Sequence, residues 1–260
     1  MINFERVSKN LAAYKDAWSE AKPFSHVVID DFITREGALR VQEEFPDPGL
    51  GEIGQSRDYI FAKNKYEKSS FWSFGPACNE LFDELKSSRF AALLKEICGR
   101  DVWVDSSFHG GGMHQGGQGS FLDMHTDFNV HPLKESWFRD LNILIYLNPN
   151  WHPKWGGALK LKHRISASTA EIDPVFGRCI IMKTRDYTLH GYDPINFPLG
   201  EYRRSIACYA YSELRKGTNA KSTSWYPSGQ NPAKRILGRL WPHLVIWKNH
   251  ILGSSTAKNR

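Results

Sequence analysis

Apolar and polar positions divide this chain into two textures. Through the first hundred residues, apolar side chains recur mostly at helical spacing. Pro76 opens a helix carrying Leu81, Phe82 and Leu85, and Phe90, Leu93, Leu94 and Ile97 continue that period until Gly99 stops it. One β-rich run, 25–32, precedes Thr34, a good N-cap for a helix reaching about Phe45. From Val102 to Tyr211 the pattern changes to short β-branched and aromatic runs separated by Gly, Pro and Asn. These predict strands over 102–108, 119–125, 141–147, 158–162, 177–183, 187–190 and 203–211. Helices first and strands after, without βαβ alternation, argue against a doubly wound sheet and predict a mainly β, α+β sandwich or barrel with helical support. The chain therefore reads as a helical support region (1–100) within the same domain, a β core (101–212) and a C-terminal extension (213–260). Leu237, Leu240, Leu244, Trp247 and Ile251 place a helical stripe in that extension.

Composition narrows the class. At 260 residues, one large β domain accommodates the whole chain. Four cysteines (Cys78, Cys98, Cys179, Cys208) without Cys-x-x-Cys spacing read as free thiols in a reducing compartment. Met1–Arg6 lacks the apolar core of a signal peptide, and no window reaches the ~18 apolar residues of a membrane span, so the expectation is a cytoplasmic protein. The net charge of +6 belongs to an appendage. Residues 214–260 hold nine basic residues and no acidic one, a charge of +9, whereas the body carries 25 basic and 28 acidic residues, a charge of −3. No basic groove follows, and without an aromatic-basic module nucleic acid is not expected as a partner. The tail stripe is compatible with a helix covering the body, peripheral contact with a membrane surface, or a dimer interface, and the oligomeric state stays open.

The chemistry concentrates at Phe121–Phe128, where His125 and Asp127 stand two apart. On a strand such positions share a face, so imidazole and carboxylate can reach one metal ion. A third, distant histidine would complete a 2-His-1-carboxylate facial triad with open positions for a chelating cosubstrate and dioxygen. His-x-Asp alone is a short motif that also arises by chance. Gly110–Gly112 and Gly116–Gly119 lie between strands and do not lead into a helix, which argues against a phosphate-cradling loop.

Three further segments follow in order: Leu141–Asn148 with Trp151 and Gly156-Gly157-Ala158-Leu159, then Leu189-His190-Gly191, then Arg203–Tyr209. With His125-Thr126-Asp127 they resemble the Fe(II)- and 2-oxoglutarate-dependent dioxygenases, most closely the prolyl-4-hydroxylase-like branch. The resemblance covers residues 101–212 strongly and the N-terminal region loosely. It implies a double-stranded β-helix (jelly-roll) core. It also implies Fe(II), 2-oxoglutarate and O2 as cofactor and cosubstrates, with ascorbate as an optional reductant. His125, Asp127 and His190 would be the iron ligands. The family's carboxylate-clamping Arg falls on Arg203, and Tyr146 matches a position whose hydroxyl binds the same carboxylate, with Asn142 and Leu144 on its face. Strand alternation puts Arg203, Ser205 and Ala207 on one face and Arg204 on the other, although a bulge would exchange the two arginines. The implied reaction hydroxylates an unactivated C–H bond of a small-molecule or peptidyl substrate, with release of succinate and CO2. Asp127 favours hydroxylation over halogenation, since halogenating relatives carry a small residue there. Desaturation and epoxidation use the same triad. The rival reading is a non-catalytic cupin-like metal- or ligand-binding protein on the same scaffold. His109, His114, His131, His152 and His163 read as surface or loop histidines, although His114, Gln115, Asn129, His131 and Trp155 flank the motifs closely enough to face substrate. No candidate site residue lies beyond Arg203, so the tail reads as separate from the chemistry.

Overall fold

The computed structural model describes residues 1–48, 54, 55, 58, 60–227, 233, 234 and 236–238. Of the apolar tail stripe, Leu237 alone falls among them and is half-buried; the rest lies outside the described residues.

Helices α1 (Phe4–Lys9), α2 (Leu11–Glu20), α3 (Arg35–Glu43), α4 (Pro76–Leu85) and α5 (Ser88–Cys98) form the support. Thr34 caps α3, its Oγ1 accepting from the Gly37 N–H at 3.1 Å. The apolar period from Leu81 to Ile97 is divided between two helices. Ser87 breaks it by capping α5 at the Phe90 N–H, and Gly99 ends α5 at φ 68°.

The strands are β1 (His26–Ile29), β2 (Gly54–Gln55), β3 (Ala62–Lys68), β4 (Trp103–Val104), β5 (Gly112–Thr126), β6 (Val130–His131) and β7 (Lys134–Tyr146). They continue with β8 (Leu159–His163), β9 (Thr169–Ile172), β10 (Cys179–Lys183), β11 (Thr188–Tyr192), β12 (Arg203–Glu213) and β13 (Ser224–Trp225). All pair antiparallel, in the order β1-β10-β7-β12-β5-β11-β8-β9. Strand β5 belongs to both layers. Gly112–Gly116 pair with β12, whereas Leu122 and His125 pair with β11. This is the double-stranded β-helix.

Alternation sorts the side chains. Ile143, Ile145, Cys179, Ile181, Ile206 and Cys208 pack outward against Leu81, Leu85, Phe90 and Leu94 of the helices. Tyr146, Ile180 and Met182 turn inward onto Leu159 and Leu161. All four cysteines are free. No described helix is long and apolar enough to cross a membrane.

Two expectations need correction. The first hundred residues contain β3, which pairs with β5 along most of its length. Its sequence, Ala-Lys-Asn-Lys-Tyr-Glu-Lys, has no apolar alternation to announce it. The glycines of 112–119 lie inside β5, not between strands. Gly116 serves close packing, since a Cβ there would stand 2.7 Å from Ser120 Oγ.

Candidate active site

His125 and His190 face each other across the β5–β11 ladder, and Asp127 follows just beyond the end of β5. Gly191 permits that close approach, because a Cβ there would lie 2.5 Å from the Leu122 carbonyl oxygen. One ligand-type atom from each of the three residues lies within 4.8 Å of the others. His125 Nε2 is 3.6 Å from Asp127 Oδ1 and His190 Nε2 is 3.5 Å from Asp127 Oδ2. Those separations are too long for good hydrogen bonds and suit three atoms facing a shared point.

The protonation states suit metal binding. The His125 Nδ1–H points at the Asp123 carbonyl, 2.9 Å away, so that its Nε2 lone pair is directed inward. Burial, and then His125, push His190 down to about 3, which leaves it a neutral imidazole. Burial alone would raise Asp127. Arg139 and the two imidazoles outweigh it and hold the carboxyl well below its ordinary value. The donor set of two imidazoles and one carboxylate fits a divalent first-row metal.

Behind Asp127 stands a buried cation that went unremarked in the sequence. Arg139 lies 3.4 Å from Asp127 Oδ2, and its guanidinium covers the Tyr209 ring at 3.3 Å and the Phe128 ring at 4.5 Å. Arg139 Nε and Nη2 donate to Asn142 Oδ1, and Asn142 Nδ2 donates to Asp127 Oδ2 at 2.6 Å. Asn142 also sits 3.4 Å from His190 Nε2. It therefore touches the triad, whereas the sequence pointed to the carboxylate clamp.

The other end of the cavity is built by β12 and β7. Arg203 is 7 % exposed; its Nε donates to the Gly157 carbonyl at 2.8 Å and its Nη2 to the Tyr146 hydroxyl at 2.9 Å. Burial raises the Tyr146 phenol although Arg203 opposes it, so the hydroxyl stays protonated. Arg204 points to the opposite side and donates to Gln115 Oε1. No register shift intervenes before Ala210, so the alternation of Arg203, Ser205, Ala207 and Tyr209 toward the cavity is preserved. The cavity, of about 330 Å³, holds the triad, Arg203, Asn142 and Leu144 together, and Tyr146 reaches it through Arg203.

His114 and Gln115 line this cavity, while Asn129 lines a neighbouring one that also reaches Asp127. His131 is buried against Asp105, 3.3 Å away, and is a core residue, not a surface one. Trp155 packs on Phe197.

The separation of tail from chemistry is overturned. Strand β13 pairs with β5 at Thr126 and His125. Trp225 stands 4.8 Å from the His125 ring and stacks on Phe61 at 5.0 Å, and Thr223 and Trp225 line the cavity. Lys65 and Glu67 of β3 line it too. A two-residue strand and a polar one carry no local signal that would have marked them.

Residues 111–211 match the model of the 2OG-Fe(II) oxygenase superfamily, whose members use Fe(II), 2-oxoglutarate and O2. Among curated protein sequences none matches. Similar solved structures include a Trichoplax adhaerens prolyl hydroxylase in complex with a hypoxia inducible factor oxygen degradation domain peptide fragment. It has a TM-score of 0.58 and 16% identity over 80% of this chain and 92% of that one. A Pseudomonas putida prolyl-4-hydroxylase gives 0.54 and 16% over 79% and 100%. Prolyl 4-hydroxylases from Phytophthora capsici give 0.57 and 19% over 81% and 65%. Residues 111–211 thus carry the similarity to the 2OG-Fe(II) oxygenase superfamily, and the chain has the fold of the prolyl hydroxylases.

Proposed function

We propose that this oxygenase hydroxylates an unactivated C–H bond of a small-molecule or peptidyl substrate and releases succinate and CO2. His125, Asp127 and His190 hold the iron; Arg203 and Tyr146 hold the distal carboxylate of 2-oxoglutarate. The observation that carries the reading is the meeting, in one cavity, of a three-atom ligand set with a buried Arg–Tyr pair. A binding protein has no use for the second feature.

Bound at the triad, iron supplies the dioxygen activation that couples oxidation of the ketoacid to oxygen insertion. The chain supplies placement. Arg203, already anchored on Gly157, offers its remaining N–H groups to a carboxylate, and the Tyr146 O–H adds a donor. Leu144, Leu122 and Leu159 form an apolar wall that keeps water off the space between clamp and triad. Arg139 and Asn142 engage Asp127 Oδ2, which would fix the carboxylate's orientation toward a bound metal. Residues 101–212 form the catalytic core in this reading, and β13 completes it.

The test measures succinate from 2-oxoglutarate with Fe(II), alongside calorimetric Fe(II) binding under anaerobic conditions. Asp127→Ala should abolish turnover and weaken metal binding. Full turnover in that variant would sink the metal assignment. Metal binding without succinate in the unaltered chain would favour the cupin-like alternative.

A further inference from the structure

Among the described residues, the cavity is lined by an ion pair that neither triad nor clamp uses. Lys65 and Glu67, two apart on β3, both face inward, and Lys65 Nζ lies 3.1 Å from Glu67 Oε2. The Lys65 side chain is 18 % exposed and that of Glu67 48 %, so the pair is buried at its base and open toward solvent.

The registers place this pair. Lys65 is level with Gly116, which is level with Arg203; Glu67 is level with His114, which is level with Ser205 and then Tyr146. Lys65 thus lies two strands, roughly 10 Å of backbone, from Arg203, with a bare glycine between them. A cosubstrate dianion has one carboxylate for the metal and one for Arg203. Lys65 and Glu67 remain as an additional cation and anion. His114, opposite Glu67, lines the cavity and leaves its Nε2 buried without a hydrogen-bond partner among the described residues.

Resting on the oxygenase reading above, we propose that Lys65 and Glu67 recognise a zwitterionic substrate, a free α-amino acid. Lys65 Nζ takes its carboxylate, Glu67 takes its ammonium, and His114 Nε2 adds a polar contact. Two opposite charges on adjacent positions of the substrate match two opposite charges on the wall. Binding then gives each member of this partly exposed pair a further oppositely charged partner. The interior of a peptide has neither charge and would cover the existing pair without offering it new partners. Small-molecule sites usually span ~300–1,000 Å³. A cavity near the lower bound, already shared with 2-oxoglutarate, suits a substrate of amino-acid size.

The test uses the full chain and the twenty proteinogenic L-amino acids, each beside its N-acetyl and carboxamide derivatives. Binding is read by calorimetry with Zn(II) in place of iron and 2-oxoglutarate present, and stimulated succinate release is read with Fe(II). The expected result is one or a few free amino acids that bind and stimulate, with affinity falling about tenfold or more when either charge is blocked. Lys65→Met and Glu67→Gln should each weaken that amino acid by about tenfold or more, and more than they weaken 2-oxoglutarate, while Lys65→Arg restores binding in part. If neither variant folds, the blocked-charge series on the unaltered chain decides. Binding of none of the free amino acids, or equal binding of the doubly blocked forms, overturns the proposal. So does a Lys65→Met variant that loses mainly 2-oxoglutarate, which would make Lys65 part of the cosubstrate clamp. An unaltered chain that releases no succinate at all defeats the oxygenase reading itself, a result separate from these.

Discussion

The two faces of β7 meet different surroundings. Ile143 and Ile145 enter a fully apolar layer against the helices, whereas Asn142, Leu144 and Tyr146, interleaved with them, reach the triad, the cavity wall and the clamp. A period of two along one strand separates what holds the chain together from what it does. Damage to either face should therefore register in different measurements.

The outer face should show the largest energetic effect. Ile143→Ala removes a fully buried side chain and should cost ~2–5 kcal/mol of unfolding free energy, read by denaturant titration. The surviving folded fraction should keep its Michaelis constant for 2-oxoglutarate. A large rise in that constant would mean that the layers are coupled and the comparison is too simple.

The inner face should show the reverse. Arg203→Ala removes charge-assisted hydrogen bonds worth roughly 1.5–3 kcal/mol, so the Michaelis constant for 2-oxoglutarate should rise about ten- to a hundredfold. Arg204→Ala, on the far side against Gln115, should change it by less than about threefold. The opposite order in titration would displace Arg203 as the clamp.

Trp225 tests a boundary case, a wall residue supplied by the far end of the chain. Trp225→Ala should weaken Fe(II) binding about tenfold by unpacking the outer side of His125. A chain ending near Ser222 should do the same or worse. Unchanged metal affinity in both would return the tail to a merely peripheral role.

The last test is a pH dependence. Burial, and then Lys65, push His114 from its ordinary 6.5 down to about 3. Between those values the unfolded chain takes up a proton that the folded chain refuses. The contribution is therefore fully present above about pH 6.5 and is lost as pH falls toward 3. His114→Gln should make the melting temperature fall less steeply over that window, and an unchanged slope would show that His114 is already solvated.

Much of this was legible in the chain because it rests on local periodicity. His125 and Asp127 share a strand face, and the pattern of Arg203, Ser205 and Ala207 selects one of two adjacent arginines. His190 required the order of several motifs. Lys65, Glu67 and Trp225 were not legible, because their positions depend on pairing with β5 across 50 to 100 residues of chain, and neither β3 nor β13 has apolar alternation. Arg139 was hidden for a related reason. A charge at the edge of an apolar run looks like a solvent-facing position until its counter-ion is located in space.

That counter-ion relation governs the iron's own traffic. Because Arg139 already neutralises Asp127, that carboxylate is not an unbalanced charge before a metal binds. The polypeptide can finish folding before any metal reaches it. The same guanidinium competes with the ion for the carboxylate's charge, so iron should be held less tightly than by an unopposed aspartate. On the proposed iron assignment, the active fraction should therefore follow the iron supply around the protein rather than the rate at which it is synthesised.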